Sequence, residues 1–159
     1  MAQTIRRAEM RDLDELLPLF DAYREFFTGR PMPDSREFLT ERLGEQDSVI
    51  LLAEAESGAA GFLQLYPLFS SWYATRIWFL SDLYVAEAFR NQRIGRQLVE
   101  AAQSFARNSG SRSIMVEIPH REPHLISFYE SLDFNRDKDF NLYRCYLVES
   151  TESSHTNGT

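Results

Sequence analysis

Three arginines stand close together in Arg90-Asn91-Gln92-Arg93-Ile94-Gly95-Arg96, directly after the apolar run Trp78 to Val85. That run reads as a central strand covered on both faces, with one acid at Asp82. From Ile94 onward, Ile94, Leu98, Ala101, Ala102 and Phe105 fall on one stripe of a helix that ends at Ser109-Gly110. A strand feeding a short polar loop and then a helix leaves several N–H groups unpaired where the helix dipole is positive. With Arg90, Arg93 and Arg96 alongside, the expected ligand is a phosphate or pyrophosphate held mainly by main-chain donors. Asp82 is the second reactive candidate. A carboxylate in so apolar a strand is costly unless paired, so it binds either a substrate ammonium group or a structural arginine.

The remaining reactive residue types exclude more than they offer. Cys145 is the single cysteine, so the chain forms no internal disulfide, and within a strand it reads as a small buried hydrophobe. The histidines, His120, His124 and His155, are too few and too badly spaced for zinc, and no metal site is expected. A formal charge of −7 argues against a nucleic-acid surface. No apolar run is long enough to span a bilayer and Met1-Ala2-Gln3-Thr4 opens no signal peptide, which predicts a soluble cytoplasmic protein.

The elements that must position these residues follow from periodicity. At 159 residues, 43% of them hydrophobic, the chain has the size and composition of one domain, expected over 1–148. Thr4 to Ala8 reads as a strand; Leu13, Leu16, Leu17, Phe20, Tyr23 and Phe27 mark a first helix. After Gly29-Arg30-Pro31, Asp34 and Glu37 signal the start of a second helix carrying Phe38, Leu39 and Leu43. Ser48 to Glu54 and Ala60 to Pro67 are strands joined as a hairpin, followed by the ring-rich loop Leu68 to Tyr73, which either lines a substrate pocket or seals a sheet edge or dimer contact. Ser113 to Ile118 is a strand reached by a crossover, hence parallel to Trp78–Val85, and such a pair opens a slot at its carboxyl ends. Pro123 begins a fourth helix carrying Leu125, Phe128, Tyr129 and Leu132. Phe134 to Phe140 and Leu142 to Val148 read as a closing hairpin with an edge for a homodimer, and 149–159 as a mobile polar tail.

Two segments resemble the GNAT superfamily of acyl-CoA-dependent N-acetyltransferases. Val85-(x)4-Arg90-Asn91-Gln92-Arg93-Ile94-Gly95-(x)2-Leu98 is similar to that family's Arg/Gln-x-x-Gly-x-Gly/Ala signature, and Phe128-Tyr129-(x)3-Asp133-Phe134 to its later Phe-Tyr-(x)3-Gly-Phe. The departures are Arg93 and Asp133, each at a family glycine, and Glu122 at a common Asn. Positive φ is costly for arginine, so Arg93 is expected in an ordinary right-handed conformation, with Gly95 keeping the more crowded position. The resemblance implies an α/β (α+β) fold: a central, mostly antiparallel sheet of six or seven strands, the fourth and fifth parallel and splayed, flanked by about four helices. It implies acetyl-CoA as acyl donor, its pantetheine arm pairing with the main chain of Leu83, Tyr84 and Val85. Its pyrophosphate would lie over Arg90, Asn91, Gln92, Arg93, Ile94, Gly95 and Arg96, with Phe128 nearby.

The same resemblance places Tyr129 near the CoA sulfur as a proton donor and implies a small-amine or lysine acceptor next to Asp82. The two-helix region, with Tyr23, Glu25 and Arg30, borders that acceptor. Polyamine acetyltransferases carry a glutamate where Ser81 stands, so Asp82 could serve in its place only if a bulge intervened. Two other readings are available. One is a non-catalytic acyl-CoA-binding module, which the substitutions at Ser81, Arg93 and Asp133 would suit. The other, a dinucleotide oxidoreductase, lacks the Gly-x-Gly-x-x-Gly series.

Overall fold

The computed structural model describes residues 4–148, so the tail expected over 149–159 lies outside the described residues. Five strands, β1 (Thr4–Arg7), β2 (Val49–Ala55), β3 (Gly58–Ser70), β4 (Thr75–Val85) and β5 (Ile114–Val116), form one sheet in sequential order. Helix α1 (Leu13–Thr28) and α2 (Ser35–Glu45) cover one face, with Leu16, Leu19, Phe20 and Leu39 buried against Ile50, Leu52 and Phe62. Helix α3 (Ile94–Asn108) and α4 (Pro123–Glu130) cover the other, with Ile94, Leu98, Val99, Ala102 and Tyr129 against Leu51, Leu63, Leu65 and Leu80. Alternation along β2 and β3 sends successive side chains to opposite cores, which is why both strands read as nearly continuous apolar runs.

The pairing is antiparallel from β1 to β4 and parallel between β4 and β5. The parallel ladder is short: Trp78, Phe79 and Leu80 face Ile114, Met115 and Val116. Beyond Leu80, β4 runs on to Val85 with β3 on one side and no strand on the other. The sheet therefore forks at the carboxyl ends of its parallel pair.

Several expectations need correction. The sheet has five strands among the described residues, not six or seven, because Phe134–Phe140 and Leu142–Val148 form no strands. Phe140, Leu142, Tyr143, Tyr146, Leu147 and Val148 are all exposed, and so is Cys145, which was expected in a buried strand. The ring-rich stretch Leu68–Tyr73 is largely strand and turn: β3 extends through Ser70 and a tight connection leads to Thr75. That turn lies at the start of β4, the end opposite the fork, so its rings cannot line a site there. Asp34 holds the N-cap of α2 with φ 71° and makes no side-chain cap bond.

Candidate active site

A bulge in β4 builds the site. Gln64 pairs with Asp82 and Leu65 with Leu80, leaving Ser81 without a partner in β3. The extra residue turns every side chain after it to the opposite face. Leu80 belongs to the α3 and α4 core, and after Ser81 it is Asp82 that faces α1, followed by Leu83 on the α3 side and Tyr84 on the α1 side. The insertion on which a carboxylate at position 82 depended is thus present, exactly one residue long.

Around Asp82 the groups are polar but not cationic. Gln64 Nε2 donates to Asp82 Oδ2 at 3.2 Å and also meets the Tyr66 hydroxyl. Tyr23, from α1, donates to the Ser81 carbonyl at 3.4 Å and also reaches the Asp82 carboxylate. No basic side chain pairs with Asp82 among the described residues, so the structural-arginine alternative is not realised. Gln64 is fully buried and its Oε1 meets no donor among the described residues, so the site keeps unfilled acceptor capacity. Burial raises the Asp82 carboxyl above the ordinary carboxylate range, opposed by hydrogen bonds from Tyr23 and Ser81. Burial likewise lifts the Tyr66 phenol to about 12 and the Tyr23 phenol further, the latter also through the Asp82 charge.

Tyr129 comes from the other side of the sheet. It is buried at the last turn of α4, its ring against Phe128 at 5.0 Å and Phe134 at 5.3 Å between centroids. Its carbonyl accepts from the N–H groups of Leu132 and Phe134, which fixes the turn after the helix. Burial raises its pKa, so the phenol stays protonated through the neutral range.

The anion cradle is at the same end. Arg93 is the N-cap of α3, and the first intrahelical bond runs from Gln97 N–H to the Arg93 carbonyl. The N–H groups of Ile94, Gly95 and Arg96 therefore precede the ladder and point out of the helix start. Arg93 itself takes φ 63°, against the right-handed conformation expected for it, as do Asn91 at 62° and Asp133 at 66°. Both departures from the family glycines thus keep a glycine-like backbone, at about 1 kcal/mol each for a residue with a Cβ. Gly95 is less crowded than expected: a Cβ there would meet only Val85 at 3.8 Å and Phe128 at 3.9 Å.

The arginines divide their work. Arg90 folds back, Nε donating to the Val85 carbonyl at 3.2 Å, its guanidinium 5.7 Å from the Tyr84 ring centre. Arg96 is held by Glu100 at 3.0 Å and by Ser131, so it ties α3 to α4 and contributes to the cradle mainly through its N–H. Gln92 reaches the Ala88 carbonyl at 3.5 Å, and Arg93 and Asn91 face solvent. Glu25 and Arg30 are exposed near the far end of α1. The residues that sequence reasoning missed are Gln64 and Tyr66; the one available signal was a glutamine inside the apolar run Gly61 to Tyr66.

The chain is similar to known proteins over most of its length. Residues 16–134 match the family described as Acetyltransferase (GNAT) family. An uncharacterised N-acetyltransferase of Bacillus subtilis, YhfO, is 36% identical over 140 residues, covering 87% of this chain and 94% of that one. A probable acetyltransferase of Haemophilus influenzae is 30% identical over 143 residues, covering 89% and 96%. A crystal structure of a probable acetyltransferase superposes with TM-score 0.86 at 38% identity, over 92% of this chain and 99% of that one.

Proposed function

The chain belongs to the acetyltransferase (GNAT) family, and on that premise we propose a cytoplasmic N-acetyltransferase that moves an acetyl group from acetyl-CoA to a primary amine. The acceptor is a small molecule or a lysine side chain, and the reaction is a direct attack within a ternary complex. One observation carries the reading: the single-residue bulge at Ser81 turns Asp82 toward Tyr23 while the outer flank of β4 stays open.

The open flank and the helix start suit the donor. The unladdered N–H groups of Ile94, Gly95 and Arg96, with Arg93 beside them, would hold a pyrophosphate. The main chain from Leu83 to Val85 would pair with the amides of a pantetheine arm, as an added strand does. Acetyl-CoA supplies an activated thioester carbonyl, and a backbone N–H near Leu83 would polarise it.

Asp82 binds the acceptor's ammonium group and takes a proton from it, directly or through one water, so that a neutral amine faces the carbonyl carbon. Its elevated pKa suits a base more than an ordinary surface carboxylate would. As the nitrogen attacks, the new C–N bond forms, the C–S bond breaks, and the Tyr129 phenol gives its proton to the departing sulfur. The nitrogen loses its second proton to solvent as the amide forms, the proton on Asp82 also leaves to solvent, and Tyr129 takes one back, so one proton is released per turnover. Holding both partners in one fork replaces a bimolecular encounter, worth on the order of 7 to 11 kcal/mol in ideal cases.

An acetylation assay of the purified protein against polyamines, amino acids of both hands, aminoglycosides and a basic peptide tests this. The expected result is turnover of at least one amine, lowered about a hundredfold or more in Asp82→Asn. Acetyl-CoA binding without turnover of any amine would instead favour a non-catalytic acyl-CoA-binding module.

A further inference from the structure

Gln64 stands where the sheet calls for an apolar side chain. It is fully buried in β3, with Ile50 of β2 on one side and Asp82 of β4 on the other, next to the core that Ile50, Leu52 and Phe62 form with α1. A leucine or methionine would fill that position with no polar atom to satisfy. The amide instead leaves its Oε1 without a donor among the described residues, which is unfavourable for folding. Its nitrogen is fully used: Nε2 donates to Asp82 Oδ2 at 3.2 Å and to the Tyr66 hydroxyl. Stability therefore does not account for the amide, and its donor end faces the carboxylate.

The bulge at Ser81 is what brings the two together, by setting Gln64 opposite Asp82. The last torsion of an aspartate is soft, so a carboxylate needs neighbours to hold its plane. Asp82 has three: the hydroxyls of Tyr23 and Ser81, and the Gln64 amide. A hydroxyl has one proton and turns about its C–O bond, and that of Tyr23 also meets the Ser81 carbonyl. The amide is planar and tied at both N–H groups, one of them to Asp82 and the other to Tyr66. Of the three donors, Gln64 is the rigid one.

We propose that Gln64 is a positioning residue, its amide fixing the plane of the Asp82 carboxylate so that the remaining oxygen lone pairs face the acceptor nitrogen. This role rests on Asp82 being the base of the proposed reaction. A base misplaced by about 1 Å loses up to about a hundredfold in rate. The other titratable groups against Asp82 are Tyr23 from α1 and Tyr66 from β3, both kept protonated through the neutral range by burial, with Arg42 and Asp47 acting on Tyr66 in opposite directions. Titration through that range therefore reads Asp82 itself.

Gln64→Met removes the donor and nearly keeps the volume. It is expected to lower kcat/KM for the amine about tenfold or more, with acetyl-CoA affinity unchanged. The acid limb of the kcat/KM profile is expected to move to higher pH, because an N–H given to a carboxylate favours its charged form. In the Asp82→Asn background the same substitution is expected to change kcat/KM by less than about twofold, whereas a merely structural tie between β3 and β4 gives losses that multiply. The Asp82 carboxyl carbon, followed by NMR against pH, is expected to titrate higher in Gln64→Met, a reading that needs no acceptor. An unmoved titration, or losses that multiply, overturns the positioning role. Should Gln64→Met fail to fold, the side-chain N–H resonances of Gln64 in the unaltered protein decide: one is expected to shift as Asp82 titrates, and two that ignore it overturn the role. Turnover of no amine by the unaltered protein overturns the base and its positioning together; failure of the positioning alone leaves Asp82→Asn impaired and Gln64→Met active.

Discussion

A carboxylate buried without a cation is unfavourable for stability, and Asp82 carries that cost. Its carboxyl titrates above the 3.8 of an ordinary aspartate. The native state therefore holds this proton at a pH where the unfolded chain has lost it, and destabilisation by this group grows as pH rises from 3.8 through the elevated native value. Asp82→Asn is expected to raise stability at pH 8, a gain that vanishes toward pH 4. It should lower kcat/KM for the amine by about a hundredfold or more while leaving the acetyl-CoA Kd nearly unchanged. Denaturant midpoints at two pH values and steady-state kinetics check both halves; loss of stability at pH 8 would mean that Asp82 is a structural anchor. Tyr129→Phe is expected to lower kcat with little change in acetyl-CoA affinity, and equal losses in both would remove its role as acid. Arg93→Gly and Asp133→Gly are each expected to stabilise by about 0.5–1 kcal/mol, because each now holds positive φ with a side chain. Asp82 and the Arg90–Arg96 loop stand out by residue type and spacing, whereas Tyr129 stands out only through the resemblance of Phe128-Tyr129-(x)3-Asp133-Phe134 to a family motif. Gln64 and Tyr66 stand out by neither, since one polar residue in an apolar strand gives no sign of what it will face.

At the scale of elements, the bulge is the decisive feature, and it could not have been read from β4. A one-residue insertion is defined by two strands, and nothing in Leu80-Ser81-Asp82-Leu83 says that Gln64 will pair with Asp82 while Leu65 pairs with Leu80. The helices and the first four strands were legible because their apolar spacing reports burial directly. The same ladder hides a second requirement at Gly61, opposite Val85 in β4. A Cβ there would stand 2.7 Å from the Tyr84 carbonyl oxygen, and backbone cannot yield as a side chain does. Gly61→Ala is therefore expected to cost about 1–3 kcal/mol by thermal or denaturant unfolding; a neutral outcome would show that β4 can shift there. At the far edge of the sheet, Arg6 bridges Asp12 at 2.7 Å and Glu54 at 2.6 Å, tying β1 to β2 and to the start of α1. Arg6 holds the Asp12 carboxyl down to about 2, so the stability this pair contributes is complete above 3.8 and is lost as pH falls from there to about 2. Asp12→Asn should flatten that acid limb of the stability curve.

For the whole molecule, the forked sheet and its two cores were foreseeable, whereas the fate of the closing segment was not. Aromatic and apolar residues suit 142–148 to a pleated surface, and that composition carries no information about whether such a surface stands beside it; in the structure these residues form no strand and are exposed. The family likeness fixes the architecture and the kind of reaction, and leaves the acceptor to the side chains of the site itself. Everything functional depends on the fork between β4 and β5 being the seat of the acyl donor. Hydrogen exchange of the full chain, with and without saturating coenzyme A, tests that most directly. Slowed exchange confined to Leu83–Val85 and Asn91–Arg96 is expected. Unchanged exchange there, or protection at another face of the sheet, would contradict it.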